Sequence, residues 1–200
     1  MILGISSGRK NGVTSEAIKA ILEATGLEYE YISLAGKRIS GCIGCTLCAS
    51  DNKCKADAII FGAPNYFGRM NALGHALWER TFSFRHRESF NLSGKLGVIV
   101  GADYKNNDFV RPEIEYFMLK NKMAVLESLE VDGYSQCYNC GYGHECGVGK
   151  VVQDHGFLDK IEKEQFPSHF KEQKEACFNA AKIGKILGST LKKRKENDLS

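Results

Sequence analysis

Apolar and polar positions along this chain change period several times, and each change marks an element. Ile2 to Ile5 is a short apolar run, followed by a loop of small polar residues from Ser6 to Ser15. A helical period then sets in. Ala17, Ile18, Ile21 and Leu22 fall on one face, Glu16, Lys19 and Glu23 on the other, and Gly26 supplies a stop. Leu27 to Leu34 alternates in part and reads as a second strand. Ala56 to Pro64 and Lys95 to Gly101 are apolar without alternation, as expected of parallel strands covered on both faces. Asn65-Tyr66-Phe67-Gly68-Arg69 is expected to open a helix carrying Leu73, Ala76, Leu77 and Arg80. A helix around Arg111 to Asn121 and a strand around Met123 to Val131 complete the series. Repeated strand–helix units of this kind predict an α/β fold built on a doubly wound five-stranded parallel sheet.

In such sheets ligands sit beyond the carboxyl ends of the strands, so the loops at 6–15, 63–69 and 101–107 are expected to converge on one site. The first of them joins a strand to a helix N-terminus through Ser, Gly, Arg and Thr. Free backbone N–H groups and the positive end of the helix dipole make that a ready anion site. It is neither a P-loop nor a G-x-G-x-x-G turn. An ordinary capped turn is the plainer reading of the same residues.

Composition narrows the setting. A chain of 200 residues with 43% hydrophobic content can bury a core without disulfide staples. Eight cysteines in such a length, behind a start that reads directly as a strand, suggest reduced thiols in the cytoplasm rather than a secreted scaffold. No apolar run reaches membrane-span length, and no membrane association is expected. A net charge of +3 with no basic stripe gives no case for nucleic acid. The run Lys192-Lys193-Arg194-Lys195 reads as part of a frayed, solvated tail over 189–200.

The densest chemistry lies in Cys42-x2-Cys45-x2-Cys48-x5-Cys54, four thiols in one loop directly after the second strand. Soft thiolates packed this closely select an iron–sulfur cluster, zinc or cuprous copper over hard cations. Two-residue gaps let one loop wrap three corners of a cubane, whereas structural zinc more often uses two C-x2-C pairs with a long spacer. Redox-active or incidental thiols remain the third reading. A second group, Cys137-x2-Cys140-x5-Cys146, lies in a glycine-rich stretch with His144 and His155 nearby. With a histidine or Cys177 it could hold another metal; without one its thiols simply pack or titrate. From Phe170 a helix places Ala176, Cys177, Ala180, Ala181, Gly184 and Leu187 on one stripe, which favours a core role for Cys177.

The anion loop, the cysteine loop and the Pro64-Asn65-Tyr66-Phe67-Gly68 turn, in that order, resemble the iron–sulfur flavoprotein branch of the NADPH-dependent FMN reductase family. The resemblance covers about residues 1–130 and implies a flavodoxin-like fold. It implies a domain over 1–131 that binds FMN and carries a [4Fe-4S] loop at 42–54. A cysteine- and glycine-rich extension with the C-terminal helix, 132–200, would pack on the same domain. By position, Ser7, Arg9, Val13 through its backbone, Thr14 and Ser15 inherit the FMN phosphate. Pro64, Asn65, Tyr66, Phe67 and Gly68 inherit the ring, and Cys42, Cys45, Cys48 and Cys54 inherit the cluster. The chain departs from the pattern in three places. Gly8 replaces a proline, His75 and Glu79-Arg80 stand in a K-x-x-x-D-R pattern, and only Lys55 separates Cys54 from the strand at Ala56. The cysteine loop must therefore make that crossover itself or leave one face bare.

The resemblance implies an FMN-dependent oxidoreductase that moves electrons from a ferredoxin-like donor through the cluster to FMN. A small acceptor (oxygen, peroxide or a quinone, as in relatives from anaerobes) would receive them. Tyr66, Tyr104 and His75 are acid candidates by position only, and a homodimer or homotetramer is expected. Two rival readings stand beside it. One is a cluster-free NAD(P)H-dependent FMN or quinone reductase with structural zinc; the other is a redox or metal sensor.

Overall fold

The computed structural model describes residues 1–45, 54–85, 90–104 and 108–197. Five parallel strands form the sheet: β1 (Ile2–Ser6), β2 (Tyr29–Ser33), β3 (Ala58–Tyr66), β5 (Leu96–Asp103) and β6 (Ala124–Asp132), in the order β2-β1-β3-β5-β6. A two-residue strand, β4 (Arg69–Met70), pairs antiparallel with the end of β3. The chain leaves β1 in one direction to reach β2 and returns on its other side as β3. The direction of winding therefore reverses between β1 and β3, and the carboxyl ends there splay to leave a crevice.

The apolar runs lack alternation because both faces of the sheet are covered. Ile60, Val98 and Val100 point to α1 (Val13–Ala24) and α5 (Lys174–Asn197); Ile59, Phe61 and Ile99 point to α2 (Ala72–Arg80) and α3 (Arg111–Lys120). On the α2 side Phe61 meets Trp78 edge-on at 5.2 Å, and Trp78 stacks on Phe117 at 5.9 Å. Each such pair adds about 0.5–1.5 kcal/mol beyond area burial. On the other face α1 and α5 touch backbone to backbone. A Cβ on Gly184 would lie 2.5 Å from the Ile21 carbonyl oxygen, and one on Gly188 2.4 Å from that of Thr25. Only glycine permits that approach.

Two expectations change in the structure. The stretch 65–69 does not open a helix: β3 continues to Tyr66, and Phe67 and Gly68 form a two-residue hairpin loop with φ of 56° and 75°. Two successive positive φ values are the signature of the turn that matches strand twist, and the Asn65 carboxamide oxygen holds it by accepting the Gly68 N–H at 2.7 Å. Helix α2 starts only after Asn71, whose side chain accepts the Gly74 N–H. At the other end α5 continues as helix to Asn197, through the basic run expected to fray, with Arg194 donating to the Gly94 carbonyl at 2.8 Å. The described part of the β2–β3 connection contains no helix. Buried Leu34 and half-buried Ile39 and Cys54 cover the sheet there instead. Among the described residues no helix is long and apolar enough to cross a membrane.

Candidate cofactor site

A cavity of about 560 Å³ opens at the β1/β3 reversal, within the size usual for small-molecule sites (roughly 300–1,000 Å³). Its floor is the loop after β1 and the start of α1. Gly12 caps α1 with backbone alone, having no side chain to satisfy the N–H groups of the first turn. Among the described residues those N–H groups, at Val13, Thr14 and Ser15, meet no acceptor, and the Thr14 hydroxyl beside them has no hydrogen-bond partner. An uncapped twelve-residue helix that aims its N-terminus into a cavity favours an anion there. The loop is pinned from behind. Ser15 donates its hydroxyl to Ser6 and to the Arg9 carbonyl, both at 3.1 Å, and Asn71 donates to the Ser7 carbonyl at 2.8 Å.

Sequence-named residues thus separate into two sets. Arg9, Val13, Thr14, Pro64, Asn65, Tyr66 and Phe67 line the cavity. Ser7 and Ser15 sit behind its wall, the Ser7 hydroxyl spent on the Gly62 carbonyl at 3.3 Å, and Gly68 serves the hairpin turn. Phe67 is fully exposed at the rim and Tyr66 partly so, giving an apolar lip to a planar guest. Of the acid candidates, Tyr66 and Tyr104 line the cavity. His75 does not: it pairs with Glu113 at 2.9 Å on the α2/α3 face and packs edge-on to Phe117.

The remaining wall comes from residues that sequence reading passed over. Tyr134, Ser135 and Gln136, just beyond β6, close one side, and Lys150 at the start of α4 (Lys150–His155) closes another. The same rule that named three loops applies to the loop after β6, so its position was a usable signal; nothing in the sequence pointed to Lys150. Arg9 lies over the Tyr134 ring at 5.0 Å, joining the first loop to this wall. Asp154 fastens the segment to the sheet. It accepts from the Tyr104 hydroxyl in a short hydrogen bond and from Tyr138 at 3.2 Å, and lies 3.7 Å from the Lys150 ammonium. Burial, then the Asp154 carboxylate, push the Tyr104 phenol well above its usual range and that of Tyr138 up to about 12. Both therefore hold their protons at neutral pH and serve as fixed donors. Tyr104 is poorly suited to give its proton up.

The described cysteines of the first loop lie elsewhere. Cys42 and Cys45 are exposed, Cys54 is half-buried, and Cys48 lies outside the described residues. The Cys42 N–H donates to Glu79 at 3.3 Å, near the last turn of α2. Asn71, at the other end of that helix, touches the floor of the cavity, so helix rise alone puts about 12 Å between the two places. Among the described residues no three Cys, His, Asp or Glu side chains are grouped to hold a metal. Cys177 is half-buried against the α1/α5 core and donates its thiol to the Phe170 carbonyl at 3.2 Å.

Comparison with known proteins gives this geometry a context. Residues 1–133 match the family model described as NADPH-dependent FMN reductase. An iron–sulfur flavoprotein of Methanocaldococcus jannaschii is 36% identical over 175 residues, 76% of this chain and 85% of that protein. Another, of Archaeoglobus fulgidus, is 28% identical over 110 residues, covering 46% of this chain and 49% of the relative. Among solved structures, an archaeal flavodoxin superposes with a TM-score of 0.54 at 13% identity, covering 96% of this chain and 99% of that one. A flavone reductase gives 0.57 at 17%, covering 97% and 64%. These last two speak for the flavodoxin-like fold.

Proposed function

The chain belongs to the NADPH-dependent FMN reductase family, with the iron–sulfur flavoproteins, and from that premise we propose that it carries electrons from a ferredoxin-like donor through a [4Fe-4S] cluster to FMN and on to a small acceptor. The observation that carries the FMN half is the α1 N-terminus, whose N–H groups and Thr14 hydroxyl, without partners among the described residues, face a cavity with an aromatic lip. The fit is chemical as well as spatial. Val13 and Thr14 would take the phosphate with help from Arg9, while Asn65, Tyr66, Phe67 and Tyr134 would flank the ring. Bound FMN supplies an acceptor of one or two electrons, which a one-electron cluster cannot be by itself.

For the cluster, support rests on the donor set and on the relatives' names. Cys42, Cys45, Cys48 and Cys54 would hold it, because four soft thiolates at this spacing suit iron and sulfide. The exposed apolar side chains Phe82, Tyr116 and Leu119 on the α2/α3 side support a homodimer or homotetramer. The family's description favours one rival, an NAD(P)H-dependent flavin reductase whose loop holds zinc.

Measurement of iron, acid-labile sulfide, zinc and flavin per chain after anaerobic purification separates them. About four irons and four sulfides with one flavin is the expected result. Zinc without sulfide would hand the case to the reductase, and absence of flavin would sink both.

A further inference from the structure

We propose that Cys137 and Cys140 form a redox-active dithiol at the rim of the flavin cavity, which reduces small disulfide substrates. The pair lies directly after Ser135 and Gln136, which line the cavity. Two successive 3-10 turns, Tyr138 N–H to the Ser135 carbonyl and Asn139 N–H to that of Gln136, fold this stretch tightly. Just past these turns the chain folds back, and the Cys140 thiol donates to the Cys137 carbonyl at 3.4 Å. Cys137 is half-buried and its sulfur accepts the Lys150 N–H at 3.3 Å, from a residue that itself lines the cavity. Cys140 is exposed. Hydrogen bonding by Ser135, then by Lys150, lowers the Cys137 thiol below its ordinary range, which favours the thiolate. All three cysteines of the segment are free thiols, and among the described residues they are not grouped with His144 or His155 around a metal. The attacking and resolving roles are thus divided between a half-buried thiolate and an exposed thiol.

The chemistry balances as thiol–disulfide exchange. The Cys137 thiolate attacks one sulfur of a disulfide RSSR, and its S–S bond breaks as one thiolate RS⁻ leaves. Cys140, its proton lost to water, attacks the Cys137 sulfur of the mixed disulfide and releases the second RS⁻. RSSR gains two electrons and takes up two protons; the pair loses two electrons and closes as the Cys137–Cys140 disulfide. Reduced FMN, held in the adjoining cavity, would supply the two electrons and two protons that reopen it. That last step rests on the proposed FMN site, whereas the exchange itself does not.

The test takes the flavin-loaded full chain under anaerobic conditions through a series of reduced to oxidised dithiothreitol ratios, followed by acid quench, alkylation and peptide mapping. A Cys137–Cys140 disulfide should appear in a single two-electron transition and vanish in Cys140→Ser. Against 5,5′-dithiobis(2-nitrobenzoate), Cys140→Ser should trap a mixed disulfide on Cys137, and Cys137→Ser should slow the fast phase of thiol release about tenfold. Free thiols at every ratio, or pairing of Cys137 with Cys146, would overturn the inference. So would iron or zinc lost in Cys137→Ser but kept in Cys45→Ala. Flavin absorbance is followed in the same samples. If flavin is absent the functional reading fails; if it is present and no disulfide forms, only the dithiol fails.

Discussion

The two cysteine segments of this molecule make opposite impressions in sequence and in space. The first, 42–54, is conspicuous as a motif, yet Cys42 lies by the far end of α2 and Cys54 packs against the core on the α2/α3 side, away from the cavity. The second, 137–146, is nondescript as a motif, yet the chain around it forms a wall of the cavity. Spacing tells which thiolates can share a metal, because that is a matter of loop length. It does not tell which of them neighbour a cavity, because that depends on where non-local strands end. A dense motif and a central position are separate properties.

If the comparison holds, damage to one segment should spare the other's cofactor. The largest effect belongs to Cys45→Ala, which leaves three thiolates. Iron should fall from about four per chain to near zero while flavin is retained, and equal loss of both would show that the segments are not independent. Next comes Tyr104→Phe, which removes the donor that ties Asp154 and its helix to the end of β5. Loss of a hydrogen bond to a charged group costs about 1.5–3 kcal/mol. Flavin affinity should drop roughly tenfold in equilibrium dialysis, at unchanged iron. Unaltered affinity would mean that the C-terminal wall is ornamental.

Glu130→Gln is a control outside both segments. Burial first, then the Asp108 and Asp103 carboxylates, push Glu130 up to about 8 from an ordinary 4.5. The folded protein therefore binds a proton that the unfolded chain has released, so stability falls as pH rises from about 4.5 to about 8. The glutamine variant should lose that slope and gain about 1–2 kcal/mol in urea unfolding at pH 8, with iron and flavin unmoved. Identical pH slopes for the two proteins would reject the assignment. The smallest effect is expected of Thr14→Val, which takes one neutral donor from the anion end. A cost near 1 kcal/mol, about fivefold in flavin retention, is expected, and none at all would move the phosphate away from α1.

Much of the fold was legible because it is local. Ala17, Ile18, Ile21 and Leu22 repeat at a helical period, and the unbroken runs at 58–63 and 96–102 have no polar face to spare. The reading failed at 65–69, a stretch expected to open a helix, which instead forms a hairpin with positive φ at Phe67. A side chain's identity only weakly constrains that conformation; the pairing of Tyr66 with Arg69 imposes it. Likewise Ser7 and Ser15 were named with Thr14 for one role, since sequence cannot tell a hydroxyl facing a cavity from one facing the wall behind it. Only Thr14 faces in.

By itself, then, the sequence determined the alternation of strands and helices, the order of the loops that meet at the carboxyl edge, and the close spacing of four soft thiol donors in 42–54. Each follows from period, spacing or donor chemistry within about a dozen residues. The tertiary structure alone decided that the segment after β6 folds back over the crevice, that Asp154 binds Tyr104 fifty residues away, and that Cys137 receives the Lys150 N–H beside the cavity. Those contacts join residues far apart in the chain, and the burial and hydrogen bonding that fix them exist only once the sheet has brought its carboxyl ends together.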